Sequence, residues 1–272
     1  MPGTGVPVPA FEKAEAQMSL QREYRLFLAL LLILASASWA MLIWQSGMMK
    51  SMGIGLGMGG TMGMGAALFL AIWVVMMIAM MFPATATMNL AFARVQRERH
   101  TGWRASVSPW IFVGAYLLVW ALFGVFAYLG ALAASGLAGQ IPWIMMNAAR
   151  IGGGILMLAG LYQLTPLKRV CLAKCCTPLN FIHGRWHDGY MGAFRMGLEH
   201  GIFCLGSNWL LFVLLFPLGI MNVVAMAGLT VVIFAEKMFP RWERIAQGVG
   251  LALILSGILV MVVPAALLLN GA

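Results

Sequence analysis

The chain is predicted to be all-α, a polytopic bundle of about seven membrane-spanning helices with its N-terminus in the cytoplasm. Three observations predict this. Hydrophobic residues make up 62% of the 272 residues and charged residues only 9%, where soluble domains are roughly a quarter charged; mean hydropathy is +0.92. Apolar runs of about 20 residues, the length a helix needs to cross the hydrocarbon, recur along the chain. Lysine and arginine gather in alternate connections between those runs, as the positive-inside bias requires.

The elements follow in order. Residues 1–25 lack the continuous apolar stretch of a secretory signal and read as a cytoplasmic tail. Spans are expected at 26–44, 67–91, 110–134, 143–165, 192–216, 219–238 and 244–268. They form a single transmembrane domain, 26–268, because helices in a bilayer satisfy their own backbones and need no separate water-excluding cores. Lys13, Arg22 and Arg25 precede the first span, Arg94, Arg97, Arg99 and Arg104 follow the second, and Lys168, Arg169, Lys174 and Arg185 follow the fourth. Lys237, Arg241 and Arg244 fall between the sixth and seventh, on the same side. The connections 45–66, 135–142 and 217–218 carry only Lys50. The C-terminus is therefore expected outside, and the net charge of +9 reflects topology. Cations scattered over short loops do not make a nucleic-acid patch.

Two connections are chemically unusual. Eleven of the 23 methionines lie between residues 48 and 88. Met48, Met49, Met52, Met58, Met62 and Met64 interleave with glycine in the outer loop 45–66, and Met76, Met77, Met80 and Met81 follow within the second span. Soft thioethers select Cu(I) among biological metals; methionine is also a flexible packing residue, and both readings stand for Met76 and Met80. Pro83 is expected to kink this span and free a backbone carbonyl, tolerable in a membrane only against protein or a wet cavity.

The inner loop 166–190 places Cys171, Cys175, Cys176, His183 and His187 within 17 residues. In a helix Cys171 and Cys175 share a face one turn apart, which lets two thiols grip one ion. Cysteine clusters facing a reducing cytosol are more often metal-binding or catalytic than disulfide-linked; small hydrophobes or acylation sites are the alternative. In the fifth span Arg195, Glu199, His200 and Cys204 recur at about one helical turn, so a helix gathers them along one stripe, with Arg195 and Glu199 able to pair. Ionisable side chains in spans are costly and face a bundle interior. An interfacial ion pair beside a merely hydrogen-bonded histidine is the alternative. Asn222, Arg150 and the triple glycine 152–154 are candidates for holding helices together.

The segments LTPLKRVCLAKCCTP, MGLEHGIFCLG with its following tryptophan, LGIMN, AEKMFP and WVVMMIAMMFPA together resemble a bacterial family of predicted metal-binding integral membrane proteins. That family is catalogued as a domain of unknown function and often labelled copper chaperone. The resemblance implies a multi-pass protein of the cell inner membrane that binds metal through Cys, His and Met. It puts Cys171 and Cys175 in a CLxxC element, His200 and Cys204 in an HGxxC element, and Glu236 with Lys237 in an EK pair, with Glu236 expected to pair with Arg195 or Lys168. One departure stands out: family members commonly continue Gly-Cys-Cys-Trp, whereas this chain has Gly206, Ser207, Asn208 and Trp209. Ser207 and Asn208 can supply oxygen ligands or polar helix contacts instead.

The metal candidates are thus Cys171, Cys175, Cys176, His200, Cys204, Met76 and Met80, and the polar stripe is Arg195, Glu199 and Glu236. The implied function is a Cu(I) chaperone or carrier, another transition metal being an alternative. Expected partners besides the lipid bilayer are a copper-delivering or copper-receiving protein or a membrane enzyme complex, and no nucleic acid. The competing classes are a structural or assembly subunit of such a complex and a metal-independent small-solute transporter. No nucleotide-binding loop is present, and no set of catalytic side chains is recognisable by pattern, so an enzyme is not expected.

Overall fold

The computed structural model describes residues 10–51, 65–100, 103–220 and 222–263. Eleven helices occur in order among them: α1 (Ala10–Ser51), α2 (Ala66–Arg99), α3 (Trp103–Gln140), α4 (Pro142–Met146), α5 (Ala148–Gln163), α6 (Pro166–Cys176), α7 (Pro178–Gly184), α8 (Gly189–Val213), α9 (Leu215–Leu218), α10 (Val223–Met238) and α11 (Trp242–Val262). No strand is present among the described residues.

Five of these helices are long and apolar enough to cross a membrane: Tyr24–Met49, Ala66–Arg99, Ser106–Gln140, Gly189–Leu218 and Trp242–Val262. The expected seven spans therefore become five, or six if α5 and α6 make one broken crossing bent by 63°. The run 143–165 is split because Pro142 starts a short helix and Asn147 separates it from α5. At the other end Thr165 caps α6, accepting a hydrogen bond from Lys168 N, with Pro166 at the first helical position. Proline has no N–H to continue the preceding helix, so the chain turns there. The run 219–238 shortens to the 16 residues of α10, capped by Asn222, whose side chain accepts from Val224 N and Ala225 N at 3.1 and 3.2 Å. At 1.5 Å per residue such a helix falls short of the hydrocarbon thickness.

Helix α2 runs through Pro83 without a break. A proline at 83 leaves the carbonyl of Ala79, four residues back, without its helical donor. Trp39 of α1 supplies one: its Nε1–H donates to Ala79 O at 3.0 Å. The expected freed carbonyl is thus held against protein, and α1 is pinned to α2 at that point.

Small residues set the closest approaches. In α8, a Cβ at Gly197 would collide with the Phe112 carbonyl of α3, and one at Gly201 would lie 2.8 Å from Val119 Cγ2. Between α5 and α11, Gly153 faces Gly257 and Gly160 faces Gly250, each against the other's backbone carbonyl. The glycine run 152–154 accordingly does mark a helix crossing. In lipid, where water does not drive helices together, such backbone proximity is a main source of association.

The largest part of the core draws on several helices. Trp73, Met76, Met77, Met80 and Met81 of α2, Tyr116 and Trp120 of α3, Cys175 of α6, Cys204 and Phe212 of α8 and Ile233 of α10 belong to one buried cluster.

Candidate functional site

Four helices bring side chains to one sulfur. Cys204, on the buried face of α8, is fully enclosed. Cys175 of α6 is buried in the same cluster, its thiol near enough to bear on the Cys204 sulfur. Lys237 of α10 donates to it at 3.0 Å, and the Tyr116 hydroxyl of α3 lies 3.2 Å away. Asn208, one turn along α8, brings Nδ2 to 3.8 Å.

The local reason is helical spacing on a crossing made close by glycine. Gly197, His200, Gly201, Cys204, Ser207, Asn208 and Leu211 are all buried, the inward face of α8. With no Cβ at Gly197 and Gly201, α3 approaches closely enough for Phe112 and Tyr116 to reach that face.

His200 stands one turn from Cys204 inside an aromatic box. Its ring stacks on Phe112 and Tyr116, with centroids 5.7 and 5.4 Å away, and meets Phe181 of α7 edge-on at 5.9 Å. Neither ring nitrogen has a hydrogen-bond partner. A buried polar group without a partner is costly, so this imidazole has a lone pair to offer a ligand.

The remaining α6 cysteines differ in surroundings. Cys171 is buried and its Sγ packs on Gly206, where a Cβ would lie only 2.9 Å from the sulfur. Cys176 turns toward α10, donating from Sγ to the Glu236 carbonyl at 3.5 Å. Met76 and Met80 are fully buried in the cluster that contains Cys175 and Cys204. Met52, Met58, Met62 and Met64 of the outer loop lie outside the described residues, and Met48 and Met49 end α1.

The expected stripe on α8 divides. His200 and Cys204 face inward, whereas Arg195 is exposed and Glu199 only partly buried. Glu199 accepts from Arg195 Nε at 3.2 Å and from Arg185 Nη1 at 2.7 Å, a surface clamp between α8 and the segment after α7. A helix stripe one residue wide cannot hold both pairs, since Glu199 and His200 are about 100° apart. His183 and His187 are both exposed, and His187 Nδ1 lies 2.8 Å from Arg185 O.

Glu236 is fully buried and pairs with Lys168 of α6, whose Nζ reaches its two carboxylate oxygens at 2.9 and 2.7 Å; Lys168 also donates to Gln163. Lys237, at the end of the expected run 219–238, lies in the last turn of α10, which directs its ammonium onto Cys204. Ser207 and Asn208, at the family's usual cysteine positions, turn back on their own helix. Ser207 Oγ and Asn208 Nδ2 each donate to Cys204 O at 2.9 Å, and Asn208 Nδ2 reaches Ser207 Oγ at 2.8 Å.

Among the described residues no group of three or more His, Cys, Asp or Glu side chains surrounds a single ion position. What the fold does assemble is a pair of neighbouring buried thiols, Cys175 and Cys204, in an apolar enclosure with an ammonium, a phenol and an amide directed at one sulfur. Tyr116 and Lys237 were not among the sequence candidates. Tyr116 carries no local signal, being one aromatic among many in an apolar helix; Lys237 had one, its position in the EK pair.

Fold and site define a class: a helical protein with several helices suited to crossing a membrane and a buried thiol pocket where they meet. Residues 70–260 match the PpoB2 family, described as copper chaperone, and the chain belongs to that family. This agrees with the resemblance carried by its Cys, His and Met motifs and gives the protein a copper-related role. No curated protein and no solved structure matches the chain.

Proposed function

We propose that the protein is a Cu(I) chaperone or carrier of the bacterial inner membrane, its N-terminus in the cytoplasm, which holds its ion between Cys175 and Cys204. The observation that carries this reading is the presence of these two buried cysteines, supplied by different helices, in one enclosed cluster beside the Lys237 ammonium. Thiolates are the ligands soft metals prefer, and Cu(I) accepts as few as two of them. The family description supports copper as the cargo.

The chain's own residues do three things in this scheme. Cys175 and Cys204 bind, giving up their protons as the ion enters. Phe112, Phe181 and the methionine-rich face of α2 exclude water, which otherwise competes for the metal and favours oxidation. His200, with both nitrogens unpartnered, and the thioethers of Met76 and Met80 are weaker neighbouring donors for an arriving or leaving ion. A two-thiol grip with weaker donors nearby suits transfer to a receiving protein better than permanent storage, because exchange proceeds by adding one new ligand at a time. With no nucleotide-binding loop, any transport is passive, exchange-driven or ion-coupled.

The test is copper content and Cu(I) competition titration of the protein purified anaerobically in detergent. Wild type and Cys176→Ser are expected to hold stoichiometric copper, and Cys175→Ser and Cys204→Ser to lose it. Full retention in the Cys175→Ser/Cys204→Ser double variant would falsify the assignment. Co-purification with subunits of an enzyme complex, without stoichiometric copper in the isolated chain, would favour an assembly role instead.

A further inference from the structure

We infer that Lys237 is the residue that sets the charge of the metal this pocket accepts, selecting a monovalent soft ion over a divalent one. The inference rests on the copper reading above and concerns the same site.

It starts from the buried charges. Among the described residues, the buried side chains that carry formal charge are Lys168, Glu236 and Lys237. Lys168 and Glu236 neutralise each other through their ion pair at 2.7 Å. Lys237 is left over. Its Nζ contacts the Cys204 sulfur at 3.0 Å, and the other groups whose charge bears on it are Cys175, Cys176, His200 and Lys168. The neighbouring carboxylate that would ordinarily balance it, Glu236, is already committed to Lys168. A buried charge without a counter-charge is strongly unfavourable, so the enclosure is built around one net negative charge on the sulfurs beside Lys237 or on whatever they hold.

A metal held by two thiolates supplies that charge only if the ion is monovalent. Two thiolates around Cu(I) have a net charge of −1, and Lys237 brings the enclosure to zero. Two thiolates around a divalent ion are neutral, and the ammonium then remains uncompensated. In both cases the thiol protons leave to bulk solvent, no electron moves, and two sulfur–metal bonds form. Lys237, Tyr116 and Asn208 reach Cys204 through its remaining lone pairs, so they stabilise the bound thiolate without acting as ligands. The pocket thus discriminates by total charge as well as by ligand softness. Sulfur alone cannot do that, because Cu(I) and Cd(II) both favour thiolates.

The experiment measures Cu(I) and Cd(II) affinities of the full chain in detergent, Cd(II) through its thiolate charge-transfer absorption. Variants are Lys237→Gln, which keeps a donor without the charge, and Lys237→Arg, which keeps the charge. The ratio of Cu(I) to Cd(II) affinity is expected to fall at least about tenfold in Lys237→Gln, the lower bound for a close charge pair, and to be retained in Lys237→Arg. A general loss of packing would weaken both ions together and leave the ratio in place. An unchanged ratio in a folded Lys237→Gln that still binds Cu(I) overturns the inference alone. Should that variant not fold, wild-type protein that binds Cd(II) as tightly as Cu(I) overturns it without any substitution. Wild-type protein that takes up neither ion overturns the copper reading and this inference with it.

Discussion

Replacing Glu236 by alanine removes the carboxylate that holds Lys168 in the interior. Lys168 is 1% exposed and Glu236 fully enclosed, and the ammonium reaches the two carboxylate oxygens at 2.9 and 2.7 Å. After the substitution Gln163 is its remaining partner, a neutral amide. Breaking a buried pair by deleting one member costs about 3–5 kcal/mol, because the other charge stays behind. At about 2–4 °C per kcal/mol for a protein of this size, the midpoint of thermal unfolding should drop by roughly 6–20 °C. Tryptophan fluorescence of the detergent-purified protein is the assay, since Trp209 lies on α8, which packs against α6. Arg94–Glu98 is an internal control, an i, i+4 pair at 3.1 Å whose side chains are 70% and 60% exposed. Glu98→Gln should change stability by only a few tenths of a kcal/mol, as exposed pairs do. Lys168→Met combined with Glu236→Leu should recover most of the loss, because an apolar pair of similar volume substitutes well for a buried ion pair. A Glu236→Ala midpoint within about 2 °C of wild type would refute the reasoning, as would a double variant no better than the single.

Three further outcomes are expected. Gly206→Ala drives a methyl to 2.9 Å from Cys171 Sγ, so alkylation of Cys171 by a membrane-permeant maleimide should speed up as the thiol is displaced; an unchanged rate contradicts the packing. Trp39→Phe leaves the Ala79 carbonyl beside Pro83 without its donor, and should destabilise by about 1–3 kcal/mol in thermal unfolding. Met76→Leu with Met80→Leu is a volume-conserving exchange expected to cost less than about 1.5 kcal/mol per site. Its copper content should match wild type if the two thiols alone hold the ion at rest, while release to a competing chelator should slow if the thioethers assist departure.

Legibility differed with the range of the interaction. Long apolar runs are a local signal, and those at 26–44, 67–91, 110–134 and 192–216 all lie within helices long enough to cross. The runs at 143–165 and 219–238 look equivalent by hydropathy, yet one is broken at Asn147 and ends in the capped bend at Thr165, and the other becomes helical only at Val223, behind the Asn222 cap. Caps and bends depend on a few polar atoms rather than on average hydropathy, so a sliding reading overlooks them. At the site, the i, i+4 spacing of Cys171 and Cys175 could be read directly, as could the helical relation of His200 to Cys204. That Cys175 rather than Cys171 meets Cys204 depends on the rotation of α6 against α8, which spacing does not encode. Lys237 reads as a charge at the end of the run 219–238, and only the tertiary fold shows its ammonium turned inward onto Cys204.

The glycine crossing of α5 and α11 has a bearing on where Cys175 sits. Helix α11 follows α5 and α6 at a distance along the chain, yet the surface it covers belongs to α5, which continues through Leu164 and Thr165 into the helix that carries Cys175. Without residues 242–262 the surfaces at Gly153 and Gly160 are uncovered and the α5–α6 arm lacks its brace. The placing of Cys175 therefore depends on a crossing made by a helix far along the chain, and a side chain added at Gly250 or Gly257 would reach the thiol from outside its own surroundings.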